Sequence, residues 1–264
     1  MTETTKRRVI IPQLGIDEGR VEENVEKIRR AFRENARADL IVFPELVLQG
    51  HRLSMSPKAE IAEAISHRPD HSLEAMHDYA RTQGAEVIFG EMDEIDGALL
   101  NLAVYIGRER MDHYAKTHVH WTESFTPGSE LKTFETAIGT VGILICFDAA
   151  FPEAARVLAL KGAETIVVIA AIPDHFDIEY MMIRLRAMAH FNQTYVLFAN
   201  RCGKGFNGHS AVIDPRGMIV GRLGEGEGLL EAEIDLAEVA RWRKEEALYP
   251  HRRPELYGII AAKE

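Results

Sequence analysis

Short apolar runs alternate with longer amphipathic segments along most of the chain, and this alternation restricts the possible fold more than any other feature. The segment RVEENVEKIRRAFREN has its apolar residues at helical spacing, and PEAARVLALKG begins with Pro152 at the first helical position. The runs that predict buried strands are RVIIPQL, ADLIVFPE, AEVIFGEM, GTVGILICF, ETIVVIA and TYVLFAN. Strands that alternate with helices predict an α/β fold whose sheets are covered by helices on at least one face.

The remaining segments extend the same pattern to the end of the chain. ALLNLAVYIG and ERMDHYAK predict neighbouring strands, and SLEAMHDYARTQG and IEYMMIRLRAMAHFN predict helices. Beyond residue 208 the strands become shorter, in GHSAVIDP, GMIVGRL and GLLEAEID. Asp235 and Glu238 then form the pattern of a capping box at the start of a last helix. Because no linker or repeat interrupts this order, we expect a single domain over residues 1–264.

Composition excludes several classes of protein. The net charge of −10, from 41 acidic and 31 basic side chains, argues against a nucleic-acid or anionic-membrane surface. The N-terminus lacks the apolar region of a signal peptide, and no apolar stretch approaches the 18 or so residues of a membrane span. Two cysteines are too few for a disulfide-stabilised secreted protein of 264 residues. These features predict a cytoplasmic protein.

Cys146 lies where the apolar run GILIC breaks into a turn before the helix that begins at Pro152. A residue at a strand-to-helix turn stands at the edge of a sheet, near free backbone N–H groups that can bind an oxyanion. Taken alone, the cysteine is more readily explained as a small buried residue at the end of a core strand. The second cysteine, Cys202, precedes a glycine-rich loop and is expected to be a packing residue.

Two further strand ends carry groups that a nucleophilic thiol requires. Glu45 follows the buried strand ADLIVF and a proline, where an acid is equally consistent with a helix start or a catalytic base. Lys116 closes the strand DHYA, where a single lysine is usually a solvated strand end. Together the three strand ends supply a base, a cation and a thiol, which is the set that nucleophilic catalysis by cysteine needs.

The segments around these three residues resemble the nitrilase, or carbon–nitrogen hydrolase, superfamily. The matching segments are VFPELVLQGH, YAKTHVHWTESFTPG and GILICFDAAFPEAARVLALKGAE, with weaker matches in FANRCG, GHSAVIDPRG and EAEIDL. Members of this superfamily use a Glu–Lys–Cys triad in this chain order. The resemblance implies a four-layer αββα sandwich of two mixed β-sheets flanked by helices, and it implies a homodimer or larger homo-oligomer. The apolar tail at residues 248–264 is the expected subunit contact.

The resemblance also implies roles for individual residues. Cys146 would be the nucleophile and Glu45 the general base. Lys116 and the backbone N–H of Phe147 would bind the oxyanion. Glu123 would be a second glutamate that orients either the substrate or Lys116.

The same resemblance places four residues in the substrate pocket: Tyr114, Ala149, Ala171 and Asn192. Ala149, with Ala150, is smaller than the residue that many members carry there, which would widen the pocket. Arg186 lies six residues before Asn192, an arrangement similar to that in some carbamoyl-amine hydrolases. This spacing neither establishes nor excludes that substrate class.

Two classes of function agree with these residues. The first is a hydrolase, and its leading form converts a small amide to an acid and ammonia through a cysteine thioester. The alternatives within this class are an N-carbamoyl-amine hydrolase and a nitrilase, in which the thiol would attack a nitrile carbon. The second class is a binding protein that keeps the fold without the reaction, and the intact set of Glu45, Lys116 and Cys146 argues against it.

No metal or organic cofactor is required by this chemistry, and none is expected. His118 and His120 alternate along the chain and could share a face, but no third ligand has a convincing spacing. His67 and His71 have helical spacing, yet Pro69 between them disrupts a common helix face. Ordinary polar roles are therefore expected for these histidines.

Overall fold

Two mixed β-sheets lie face to face in the computed structural model, which describes residues 6–34, 37–66 and 73–262. The strands of the first sheet are β1 Lys6–Gln13, β2 Leu40–Val42, β3 Glu86–Ile95, β4 Ala98–Ile106, β5 Met111–Ala115 and β14 Gly228–Asp235. Those of the second are β6 Thr133–Thr136, β7 Gly139–Ile145, β8 Thr165–Ala170, β9 Tyr195–Asn200, β12 Ala211–Ile213 and β13 Ile219–Arg222. The first sheet has the order β14-β1-β2-β3-β4-β5, and the second has the order β13-β12-β9-β8-β7-β6. A short ribbon pairs β10 Cys202–Gly203 with β11 Phe206–Asn207.

Helices cover the outer face of each sheet. The α-helices of the described residues are α1 Val21–Glu34, α2 Lys58–Ser66, α3 Glu74–Gln83, α4 Pro152–Leu160, α5 Ile178–Asn192 and α6 Leu236–Glu245. Of these, α6 places Val239 in the apolar cluster between the sheets. Apolar side chains of α1 and α3 pack on the first sheet, and those of α4 and α5 pack on the second. A third apolar cluster joins the inner faces of the two sheets. The predicted four-layer αββα sandwich is therefore confirmed.

The central strands explain why their sequences read as continuous apolar runs. β1, β2 and β3 are parallel in the first sheet, and β7, β8 and β9 are parallel in the second. Every residue of β8 and β9 is buried, because helices cover one face and the opposite sheet covers the other. A strand with only one covered face would instead alternate apolar and polar residues.

Most elements form where the sequence predicts them, with some differences. The sequence pattern did not predict α2, the edge strand β6 or the short ribbon of β10 and β11. The predicted capping box at the last helix is only half correct. The Asp235 side chain accepts a hydrogen bond from the N–H of Ala237 at 3.0 Å, as a cap should. Glu238 does not reach back to the cap, because its carboxylate accepts from the Tyr195 hydroxyl and from Arg216, each at 2.7 Å.

The turn after β2 presses directly on β3. The N–H of Val47 donates to the carbonyl of Gly90 at 2.8 Å, and a Cβ at Gly90 would lie 2.6 Å from the Cα of Glu45. Only glycine fits at this position without moving the turn, so Gly90 sets the place of Glu45 relative to the first sheet. Among the described helices, none has the length and apolar character of a membrane span.

Candidate active site

The Lys116 ammonium lies between two buried carboxylates. Its Nζ is 3.1 Å from Glu45 Oε1 and 2.9 Å from each carboxylate oxygen of Glu123. The three side chains are exposed by only 1%, 0% and 3% for lysine, Glu45 and Glu123. Glu45 follows β2, and Lys116 and Glu123 lie on the segment after β5, so the edge of the first sheet brings them together. The structure thus places the predicted base and both predicted partners in one cluster.

Glu45 is held by a residue that the sequence did not point to. Asn101, on β4, donates from its side-chain Nδ2 to Glu45 Oε1 at 2.8 Å. Its backbone carbonyl accepts from the backbone N–H of Lys116 at 2.9 Å. The other carboxylate oxygen, Glu45 Oε2, is buried and has no hydrogen-bond donor among the described residues. A buried carboxylate oxygen without a donor is costly, so this atom is available to accept a proton from a neighbouring group.

Charge pairing favours the charged forms of Lys116 and Glu123 despite their burial. Burial alone would lower the pKa of Lys116, but the neighbouring Glu45, Cys146 and Glu123 outweigh it and raise that pKa. Burial alone would raise the pKa of Glu123, but contacts with His51 and Lys116 lower it to about 2. At neutral pH the lysine therefore carries a positive charge and Glu123 a negative one.

Cys146 occupies a strained turn at the end of β7. Its φ of +48° lies in the left-handed region, which a non-glycine residue adopts only when its surroundings impose it. The residue begins a 3-10 helix, Cys146–Ala150, and is half-buried. Burial and the charge of Glu45 raise the pKa of the thiol, whereas Lys116 and the backbone N–H of Ala171 lower it in part. The resting sulfur is therefore a thiol, and a base must remove its proton before it can attack.

Asp148 joins the cysteine turn to the segment after β5, and sequence reasoning gave it no role. Its fully buried carboxylate accepts from the Ile145 N–H at 2.9 Å and the Tyr114 hydroxyl at 2.8 Å. It also accepts from the His118 N–H at 2.8 Å and the Thr117 hydroxyl at 3.0 Å. The only sequence signal is its place two residues after the cysteine. Asp148 therefore fixes Cys146 relative to the loop that carries Lys116.

The structure distributes the four predicted pocket residues differently. The Ala171 N–H faces the Cys146 sulfur, so this residue borders the thiol. Tyr114 is buried and its hydroxyl donates to Asp148, so it supports the site through that carboxylate. Ala149 packs in the core between the second sheet and its helices.

Asn192 and Arg186 make their contacts at other places on α5. The Asn192 side chain donates to the Met188 carbonyl at 2.9 Å, and its own carbonyl accepts from the Tyr249 hydroxyl at 2.5 Å. Arg186 donates from Nε to the Gly217 carbonyl at 2.8 Å. None of these hydrogen bonds joins the cluster around Lys116.

Aromatic rings border the site on the side of Phe147. The Phe147 ring meets the His120 ring edge-on at 5.0 Å between centroids, and His120 stacks on Trp121 at 3.8 Å. His118 stacks on Phe151 at 4.0 Å and lies 2.9 Å from Asp148 through Nδ1. His118 and His120 thus contact different residues. His67 and His71 lie outside the described residues.

One group of potential metal ligands does occur in the described part of the chain. One ligating atom from each of Glu45, His51 and Glu123 lies within 4.8 Å of the other two. The Lys116 ammonium contacts both carboxylates of this group and supplies the positive charge that a metal ion would supply. The donor set is therefore better matched to the lysine than to a metal.

Cys202 is buried, with its sulfur 3.8 Å from the Gln13 carbonyl.

Replacement of Asp148 by asparagine should weaken both the fold and the site. The substitution conserves volume but puts an amide N–H₂ among groups that all donate, so it should cost about 2–4 kcal/mol of unfolding free energy. Urea denaturation monitored by circular dichroism measures this cost. Asp174→Asn on the exposed surface is the matched control and should stay within about 0.5 kcal/mol of wild type. Equal stability of the two variants would contradict the role given to Asp148.

Known proteins with similar sequences and folds identify the family of this chain. The sequence profile of the carbon–nitrogen hydrolase family matches residues 9–244. A probable nitrilase of Schizosaccharomyces pombe is 31% identical over 254 residues, which cover 90% of this chain and 92% of the relative. An omega-amidase of Saccharomyces cerevisiae is 28% identical over 257 residues, which cover 89% and 88%. The crystal structure of a carbon–nitrogen hydrolase from Helicobacter pylori has the same fold, with a TM-score of 0.88, 21% identity, and coverage of 98% and 99%. The chain belongs to the carbon–nitrogen hydrolase family of the nitrilase superfamily.

Proposed function

We propose that this protein hydrolyses a small, non-peptide amide to a carboxylic acid and ammonia through a thioester on Cys146. The observation that carries the proposal is the buried Lys116 ammonium, which lies between Glu45 and Glu123 and acts electrostatically on the Cys146 sulfur. A fixed positive charge beside a nucleophile is the arrangement that stabilises the oxyanion of a tetrahedral intermediate. Membership of a hydrolase family supports the same reaction class.

Acylation begins with transfer of the thiol proton to Glu45. Oε2 of Glu45 accepts it, since that oxygen has no other hydrogen-bond donor among the described residues. The sulfur then attacks the amide carbon, and the negative charge that develops on the carbonyl oxygen is stabilised by Lys116 and the N–H of Phe147. Glu45 returns its proton to the leaving nitrogen as the C–N bond breaks. Ammonia leaves, and the acyl group remains on Cys146 as a thioester.

Deacylation uses the same groups in reverse. Glu45 takes a proton from a water molecule, whose oxygen attacks the thioester carbon, and the same cation stabilises the second oxyanion. The C–S bond breaks, the carboxylic acid leaves and Glu45 returns the proton to the sulfur. Glu123 holds Lys116 in place through contacts of 2.9 Å from both of its oxygens. The cycle needs neither a metal nor an organic cofactor.

Two neighbouring substrate classes stay open beside the amide. The relative named omega-amidase supports an amide, and the relative named probable nitrilase supports a nitrile, which the thiol would attack to form a thioimidate. The N-carbamoyl-amine class also stays open, because the spacing of Arg186, whose Nε donates to the Gly217 carbonyl, neither establishes nor excludes it. Among these classes we favour the amide.

We also propose that the enzyme acts in the cytoplasm, because both cysteines are free thiols.

Ammonia release from a substrate panel tests this proposal. The panel contains aliphatic and aromatic amides, ω-amides, N-carbamoyl amines and nitriles, each with wild type and Cys146→Ala. We expect turnover of at least one amide by wild type and a fall to the background rate in Cys146→Ala, because the nucleophile is gone. Lys116→Met should lose at least about 100-fold in kcat, since one oxyanion donor is typically worth about 100- to 1000-fold.

The control for these variants is Cys202→Ala, which removes the other thiol and should keep full activity. Activity of Cys146→Ala equal to that of wild type would contradict the thiol mechanism. Turnover of nitriles alone would replace the amide by the nitrile class. Silence of the wild type on every compound would favour a binding protein on the same fold.

We also propose that residues 1–264 form one domain and that it assembles into a homodimer or larger homo-oligomer through the tail at 248–264. The tail leaves the body at Tyr249, whose hydroxyl donates to the Asn192 carbonyl. Beyond it, Leu256, Ile259 and Ile260 are exposed by 62%, 81% and 58%. Adjacent exposed apolar side chains of this size favour contact with another protein surface.

Deletion of residues 250–264 should lower the molecular mass measured by light scattering. The deletion keeps Tyr249 and removes the exposed apolar residues, so the body should remain folded while its contact surface is lost. A full-length variant with Ile259→Ser and Ile260→Ser should shift in the same direction. An unchanged mass in both variants would show that the tail does not hold the assembly together.

A further inference from the structure

His51 lies inside the charged cluster although the proposed chemistry does not use it. It stands six residues after Glu45, and its Nε2 is 3.6 Å from Glu123 Oε1, within ion-pair range and just beyond a direct hydrogen bond. Only 12% of its side chain is exposed. The imidazole therefore faces Glu123 Oε1, which, like Oε2, contacts the Lys116 ammonium.

The Phe206 ring contacts the His51 imidazole, and the Arg201 guanidinium in turn supports Phe206. The Phe206 ring meets the imidazole edge-on, with centroids 5.8 Å apart. The guanidinium of Arg201 lies over the Phe206 ring, 3.8 Å from its centre. Arg201 is fully buried and is paired with Glu18 at 2.7 Å. An arginine held in this way has little freedom to move, and it fixes the phenyl ring that bounds the histidine.

The backbone on both sides of His51 is fixed by the same pair. Glu18 accepts from the Arg52 N–H at 2.9 Å with its second oxygen, while its first oxygen binds Arg201. Gly50 has a φ of +88°, and a Cβ there would lie 2.2 Å from that carboxylate. Only glycine allows the chain to pass so close to Glu18. The position of His51 is therefore set by contacts on its ring and on its main chain.

Glu123 needs support on the side away from Lys116. Its Oε2 accepts from the His120 N–H at 3.2 Å, and both of its oxygens face the Lys116 ammonium at 2.9 Å. Without His51, Oε1 would keep the lysine as its only polar neighbour among these contacts, and the carboxylate could rotate. Rotation would move the ammonium away from the place where the oxyanion forms, and misplacement of about 1 Å can cost about 100-fold in rate.

We propose that His51 is a positioning residue that holds the Glu123 carboxylate, and through it the Lys116 ammonium, in the geometry that binds the oxyanion. Phe206, Arg201 and Glu18 form the support that keeps His51 in this place. The inference rests on the proposed function, because the oxyanion belongs to that reaction. A positioning role affects the transition state more than the bound substrate, so kcat should fall while KM stays nearly constant.

Three variants separate this role from a purely structural one. His51→Gln keeps an N–H donor that can reach Glu123, whereas His51→Ala removes it. His77→Ala changes an exposed histidine on α3 and serves as the matched control. With an amide that wild type hydrolyses, we expect kcat of His51→Ala to fall about tenfold or more. This loss should be smaller than the one that follows removal of an oxyanion donor. His51→Gln should recover most of this loss, and His77→Ala should match wild type.

Crystal structures of wild type, His51→Ala and His51→Gln give a readout that does not depend on turnover. We expect both contacts between Lys116 Nζ and Glu123 to persist in the glutamine variant and at least one to be lost in the alanine variant. Both contacts kept at 2.9 Å in His51→Ala would overturn the inference, whatever the rate. A changed KM with unchanged kcat would also overturn it, in favour of direct substrate binding. If wild type hydrolyses no amide, the proposed function fails, and the crystal structures still decide the role of His51.

Discussion

A buried ammonium group between two carboxylates is the interaction on which the rest of this site depends. Taking these charges out of water is expensive, and only close pairing and complete hydrogen bonding can compensate for it. Lys116 is closely paired with Glu45 and Glu123, and Asn101 adds a donor to Glu45 Oε1, so that among these oxygens Glu45 Oε2 alone has no donor from the described residues. Burial, Glu45 and Glu123 raise the pKa of the nearby Cys146 thiol and so oppose its ionisation. The resting sulfur is therefore a thiol, and in the proposed mechanism Glu45 takes its proton.

This arrangement needs several chain segments to end at one place, and the sandwich supplies it. Glu45 follows β2 of one sheet, and Cys146 follows β7 of the other. Parallel strands bring their carboxyl ends to one edge, where ligand sites of α/β sheets commonly form. Both turns contain a non-glycine residue with positive φ, Leu46 at +50° and Cys146 at +48°. Such strain persists only because neighbouring contacts fix it, and Gly90 and Asp148 provide those contacts.

The sequence was sufficient for the layers of the fold and for the set of groups in the cluster. Apolar periodicity located α5 at Ile178–Asn192 because a buried helix has a regular pattern. Glu45, Lys116 and Cys146 were visible because each stands at or near the end of a predicted strand, in a segment that resembles the family. Asn101 and Asp148 were not, since Asn101 contacts Glu45 across 56 residues and polar residues of this kind also occur at ordinary surfaces. His51 belongs to the same group, because only the folded chain shows that it faces Glu123.

The central claim is that the Cys146 sulfur carries the acyl group during turnover. Rapid mixing of wild type with an amide substrate, acid quenching and peptide mass spectrometry would test it most directly. The account predicts that the mass of the acyl group appears on the peptide that contains Cys146 and disappears as the acid forms. Turnover without any acylated Cys146 peptide, or with the acyl group on Cys202, would contradict it.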